Sequence, residues 1–221
     1  VLGDLYEITG QFEKSIHWYT IAEKSAEADH YAEACFRLGR VYLQNAEADK
    51  ALRKFVNAKE YIEEYGDIHT QMYCALLGHI GDCYMRKNEK SQSLRIYLPW
   101  KQLFEKLILP KGLDYQIRIE KIARGLEEEK RYKEAVEEYS ALTLLIQERD
   151  GEDSEFLKAL LKTAKIHGEL GNIKEAKTLL DKAIALNKNK SFFYRFGEKA
   201  ARVYILIEEK IAAKRILQEL Y

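Results

Sequence analysis

Three stretches of this chain repeat one short arrangement: a large apolar residue, a glycine, two variable positions and a tyrosine. They are Leu2-Gly3 with Tyr6, Leu38-Gly39 with Tyr42, and Ile80-Gly81 with Tyr84. Each leads to a second small residue with an aromatic four positions later, as Ser15/Tyr19/Ala22, Ala51/Phe55/Ala58 and Ser93/Tyr97/Trp100. Three weaker copies follow. Ile122-Ala123 with Leu126 leads to Ala135/Tyr139/Leu142, Thr163-Ala164 with His167 to Ala176/Leu180/Ala183, and Ala200-Ala201 with Tyr204 to Ala213/Leu217/Leu220. The first small residue thus recurs at 3, 39, 81, 123, 164 and 201, at intervals of 36, 42, 42, 41 and 37. A period in this range marks stacked helical hairpins.

The spacing has a mechanical reason. In the first helix the large, small and aromatic positions lie on one face. Gly or Ala at the small position lets the second helix come close, and the second helix answers with a notch, a knob and a notch, as Ala51, Phe55 and Ala58 do. Each hairpin leaves apolar surface that only its neighbour covers, so stability is largely a nearest-neighbour property. The expected fold is all-α, about six hairpins over residues 1–28, 32–64, 70–109, 114–149, 154–188 and 191–221, as one array spanning 1–221. Only two prolines and a charged fraction of 33% agree with long helices.

Turn and cap residues fall between the periodic segments. Gly10, Lys87-Asn88, Lys130 and Gly171-Asn172 separate the helices of a hairpin, and Asp153 and Ser191 are expected helix N-caps. Pro99, between Tyr97 and Trp100, breaks the pattern. With the apolar run to Pro110 it predicts either a bent helix packed on the next hairpin or an exposed patch or hinge dividing the array. The chain opens one residue before the large position of its first repeat and closes on Ile216, Leu217, Leu220 and Tyr221 without a polar capping helix. It therefore reads as the middle of a longer protein, with self-association through unfinished ends expected.

Charge gives no sign of a polyanion partner. Lys+Arg and Asp+Glu are 36 each, and neither half of the chain departs from balance by more than two charges. No apolar run reaches the ~20 residues of a membrane helix. Three cysteines inside helical patterns point to a reducing, cytoplasmic setting. His79 and Cys83 share a helix face but make only two ligands where structural zinc needs four, so no metal is expected. No nucleophile motif, phosphate loop or dinucleotide fingerprint occurs, and neither an enzymatic activity nor a cofactor is expected.

The pattern resembles the tetratricopeptide repeat (TPR) family over essentially the whole chain, best in Leu38-Gly39-x2-Tyr42…Ala51-x3-Phe55-x2-Ala58 and in Ile80-Gly81-x2-Tyr84. Intervals of 41–42 exceed the family's usual length of about 34. They are similar to the extended repeats of kinesin light chain and LGN-type adaptors, most of all from Gly151 to Ala176. The resemblance implies a right-handed solenoid whose first helices line a concave groove, with the residue after the small position projecting into it. Those residues are Asp4, Arg40, Asp82, Arg124, Lys165 and Arg202; neighbouring groove positions are Phe36, Gln44, Arg86, Glu120, Lys158, Arg195 and Glu198. Chaperone-binding members clamp a C-terminal carboxylate with an asparagine and lysines there, and no asparagine occupies that position here.

What the resemblance implies is a non-catalytic scaffold that holds a peptide or helix of a partner protein in its groove. The alternative is a peptide-sensing regulatory region of a larger signalling or transcription-regulating protein. Arg124, Lys165 and Arg202, with Lys158 and Arg195 nearby, form a basic ladder that predicts an acidic or phosphorylated peptide against hairpins four to six. The opposing reading pairs these cations with Glu120, Glu127, Glu169 and Glu198 and makes the ladder a solvated face.

Overall fold

A computed structural model describes residues 2–25, 28–187 and 190–220, without the side chains of 28, 29, 190–195, 219 and 220. These residues form twelve helices and no strand. In chain order they are α1 (Leu2–Ile8), α2 (Phe12–Ser25), α3 (Ala28–Gln44), α4 (Ala48–Tyr65), α5 (Gln71–Arg86) and α6 (Lys90–Lys106). They continue as α7 (Leu113–Glu128), α8 (Tyr132–Asp150), α9 (Ser154–Glu169), α10 (Ile173–Leu186), α11 (Lys190–Leu206) and α12 (Lys210–Leu220). Odd-numbered helices open the six hairpins and even-numbered helices close them. The chain divides into two compact units of three hairpins each, Val1–Pro110 and Lys111–Tyr221.

One contact builds every hairpin. The second small residue follows the first by 12 positions in all six, and the knob follows by 16, so the variation in period falls between hairpins. All six first-helix small residues are buried, as are Ser15, Ala51, Ser93, Ala135, Ala176 and Ala213. The knobs Tyr19, Phe55, Tyr97, Tyr139 and Leu180 are buried with them. A Cβ on Gly3, Gly39 or Gly81 would lie only 2.6, 2.5 or 2.4 Å from a ring carbon of Tyr19, Phe55 or Tyr97. The absent side chain is what lets ring and backbone touch. Where the opening residue is alanine, hairpins five and six carry the narrower leucine as knob, while hairpin four keeps Tyr139.

Polar groups in this contact are satisfied locally. Ser15 Oγ donates to the Gly3 carbonyl and Ser93 Oγ to the Gly81 carbonyl, both at 2.9 Å. The tyrosine knobs send their hydroxyls out of the core to a carboxylate: Tyr19 to Asp4 at 2.7 Å, Tyr97 to Asp82 at 2.6 Å and Tyr139 to Glu127 at 2.8 Å. Neighbouring hairpins then cover one another, as where Tyr19, Leu38 and Val41 pack with Phe12, Ile16 and Tyr42.

The turn inside each hairpin is equally regular. A residue of positive φ stands seven positions after the opening small residue in all six: Gly10, Ala46, Asn88, Lys130, Gly171 and Glu208. The sequence marks four of these turns, but nothing in an alanine or a glutamate announces the left-handed geometry at Ala46 and Glu208. Asp153 caps α9, its carboxylate accepting from the Glu155 and Phe156 amides. Ser191, Arg195 and Leu220 lie outside the described side chains. Pro99 does not interrupt α6, which runs unbroken to Lys106. Its ring lies on the exposed face, as does Arg95, whose carbonyl a proline at this position leaves without its helical donor.

Candidate functional site

In unit 1 the predicted groove residues are held by other groups of the same unit. Arg37 pairs with Asp4 across α1 and α3 and with Glu33 along its own helix. Arg40 Nη2 pairs with Glu7 Oε1 at 2.8 Å, and Gln44 Nε2 donates to the same oxygen at 3.3 Å. The Tyr19 hydroxyl, with Arg37 beside it, holds the Asp4 carboxyl below its usual range. Asp82 accepts from Tyr97, and Arg86 Nη1 donates to the Leu43 carbonyl at 2.7 Å.

Phe36, on α3, packs against α4 and α5, its ring 5.6 Å from that of His79 and 5.9 Å from that of Phe55. His79 stacks parallel on Phe55 at 5.3 Å. Cys83, which shares its helix face, is fully buried, and burial pushes its thiol up to about 12. A cleft of about 740 Å³ runs among Leu2, Trp18, Ile21, His30 and Arg37, but the guanidinium on its rim is the one already held by Asp4 and Glu33.

Unit 2 is arranged differently. Two ion pairs join α7 to α9: Glu120 to Lys162 at 2.5 Å and Glu127 to Lys165 at 2.6 Å. The hydrogen bond it donates to Glu127 holds the Lys165 ammonium above its ordinary range. Arg124 stands exposed between these pairs on α7, without an ion pair among the described residues. On its other side α9 meets α11 around an open pocket of about 580 Å³. Leu161, Val203 and Leu206 form its apolar floor. Lys158, Lys162, Lys165, Lys199 and Arg202 stand around it, and among the described residues Glu169 is the one acid in the lining.

Local packing shapes this pocket. A Cβ on Gly168 would lie 2.9 Å from Ile207 Cγ2 and 3.1 Å from Leu206 Cδ2, so this glycine lets the end of α11 close against α9. Lys158 pairs with Glu155 and Arg202 with Glu198, each within its own helix, and Arg202 keeps 75% of its side chain exposed. Lys199 makes no ion pair among the described residues and is exposed.

Of the residues singled out from sequence, the pocket gathers Lys158, Lys165 and Arg202. Glu120 and Glu198 serve as partners of its cations, while Arg40, Asp82, Phe36, Gln44 and Arg86 lie in unit 1. Sequence reasoning missed Lys162, Lys199 and the three floor residues. A signal was present: the position two before the small residue is Arg37, His79, Lys121, Lys162 and Lys199 in hairpins two to six, a basic or histidine column.

Hairpins that open on a small residue and pack on their neighbours form an all-α helical-repeat fold of the kind that TPR proteins have. Residues 157–190, which span α9 and α10, match the tetratricopeptide repeat family. No curated protein matches the chain in sequence. Among solved structures, the chain is similar to a Podosopora anserina protein described by its kinesin light chain nearly identical TPR-like repeats. The two are 15% identical with a TM-score of 0.65, over 89% of this chain and 95% of that one. BtubC (BKLC) from P. vanneervenii is 11% identical with a TM-score of 0.63, over 96% and 87%. YrrB, described as a TPR protein with an unusual peptide-binding site, is 17% identical with a TM-score of 0.61, over 86% and 85%. At these identities the likeness is one of fold. No helix among the described residues is long and apolar enough to cross a membrane.

Proposed function

We propose that this chain is a protein-interaction scaffold and that its unit-2 pocket, between α9 and α11, takes an acidic peptide segment of a partner protein. One observation carries the reading: among the described residues, five cations surround an apolar floor with a single carboxylate in the lining. An aliphatic side chain on Leu161, Val203 and Leu206 supplies burial, and the surrounding ammonium and guanidinium groups supply attraction to a neighbouring acid. The volume suits a few side chains of an extended or helical segment. YrrB, a structural neighbour described as having a peptide-binding site, is consistent with a groove of this fold holding peptide. Arg124 takes no part in this reading, because it stands on α7 between the ion pairs that join that helix to α9 and is not among the residues that line the pocket.

The test is binding of degenerate nine-residue peptides enriched in Asp, Glu and Leu, read by fluorescence anisotropy on the whole chain. Lys162→Glu with Lys165→Glu should weaken binding at least tenfold and flatten its salt dependence, with helicity unchanged. Arg124→Glu should leave affinity within a factor of two. Equal binding by the parent and the double variant would overturn the assignment of the pocket.

A further inference from the structure

The cations of this pocket are not equivalent, and their differences select among anions. Lys162 and Lys165 already hold carboxylates, Glu120 at 2.5 Å and Glu127 at 2.6 Å, both delivered by α7. A ligand carboxylate arriving at either lysine exchanges one ion pair for another of the same kind, with little net gain. On the α11 side Lys199 makes no ion pair among the described residues, and Arg202 has only Glu198, one turn away, on a side chain 75% exposed. Lys199 and Arg202 are three positions apart, neighbours on one face of α11, and both line the pocket, one of them with a planar fork of donors. A single carboxylate there offers two oxygens and one charge.

We infer that the anion this pocket selects is a phosphorylated side chain of a partner peptide, next to an aliphatic residue. The inference rests on the proposed peptide reading and deepens it. A phosphoryl group carries about −1.5 to −2 charge at neutral pH and three strong acceptor oxygens. It engages Lys199 and Arg202 together and still competes with Glu120 or Glu127 for a lysine of α9, where a carboxylate only replaces what is there. Leu161 and Val203, buried at 6% and 7% exposure, with the more open Leu206, seat the aliphatic neighbour. The described lining is cationic and aliphatic, which suits a phosphorylated side chain beside an aliphatic residue, and competition by ATP distinguishes a nucleotide from a peptide. Glu120 and Glu127 thereby act as built-in competitors that set a threshold for the incoming anion.

The experiment uses the whole chain and three matched pools of nine-residue peptides with leucine two places after a central phosphoserine, aspartate or serine, degenerate elsewhere. The phosphoserine pool should bind at least tenfold tighter than the aspartate pool. Lys199→Ala with Arg202→Ala should bring it down to the aspartate level. Glu120→Gln with Glu127→Gln should tighten both charged pools and the aspartate pool more, narrowing the gap. Inorganic phosphate and ATP, each at the peptide's concentration, should fail to compete. Equal affinity for phosphoserine and aspartate, an unchanged ratio in the α11 variant, or displacement by phosphate or ATP would overturn the phosphopeptide assignment while leaving acidic-peptide binding standing. No binding of either charged pool above the serine pool would overturn both.

Discussion

A methyl group on Gly39 would lie 2.5 Å from a ring carbon of Phe55, a separation at which the ring or a helix has to move. Two effects oppose each other there. Alanine is favoured over glycine inside a helix by about 1 kcal/mol, while overpacking a filled contact costs about 1–3 kcal/mol. Phe55 is fully buried and leaves the ring nowhere to go, so Gly39→Ala should destabilise, by about 1–2 kcal/mol net. Adding Phe55→Leu should recover part of that loss, and additive urea-unfolding energies would show that the two residues do not compete for one space. The turns give the opposite sign. Ala46 and Glu208 hold φ of 60° and 62° on exposed positions, geometry that glycine adopts without strain. Ala46→Gly and Glu208→Gly should each raise stability by about 0.5–1 kcal/mol, and a loss in either would mean the turn is not strained. His167, half-buried where the first three repeats carry tyrosine, has a pKa lowered from 6.5 by burial, partly opposed by Glu175. The unfolded chain then binds the proton more readily than the folded one, so this contribution is complete above the ordinary pKa and fades as pH falls below it. The parent's Tm should drop more than that of His167→Tyr between about pH 7 and pH 5; parallel curves would remove the histidine from the pH response.

At the scale of elements, α6 shows what a helix tolerates when its surroundings agree. Tyr97 and Trp100 are buried on either side of Pro99, so the packing face stays intact while the proline ring faces solvent. Water is available to the Arg95 carbonyl, which holds the penalty below that of a buried break. Pro99→Ala should therefore stabilise α6 by about 1–3 kcal/mol, measured by denaturant unfolding; a destabilised variant would show that the proline ring is needed in packing. The helical hairpins were legible in the sequence because their defining contact is local. Gly39 meets Phe55, and Gly81 meets Tyr97, across a fixed span that a periodic search detects. The turns at Ala46 and Glu208 were not legible, because hairpin closure imposes a geometry to which those side chains contribute nothing. The register of the repeat singles out Asp4 and Asp82, but that each accepts a hydrogen bond from the hydroxyl of its own hairpin's knob is visible only once helix two lies against helix one.

Across the whole molecule, the candidate site was half legible for a similar reason. Lys165 and Arg202 follow from the repeat register, but Lys162, Lys199 and Leu206 join them only because α11 closes on α9 at Gly168. That approach belongs to the packing between hairpins, where the period varies, and no single repeat encodes it. The pocket, its floor, and the α7 carboxylates bound to its lysines all lie between Lys111 and Tyr221, one of the two compact units. Three stacked hairpins meet the minimum at which nearest-neighbour burial sustains a repeat array. The segment 111–221 should therefore fold alone, with a helical circular-dichroism spectrum and a cooperative urea transition whose m-value is about half that of the parent. It should bind the acidic degenerate peptides within about threefold of the whole chain's affinity, a difference under 1 kcal/mol, whereas 1–110, folded by the same criteria, should not. Binding by 1–110 at equal strength would move the site to unit 1, and a 111–221 segment unfolded in the absence of denaturant would show that its hairpins draw their stability from outside it.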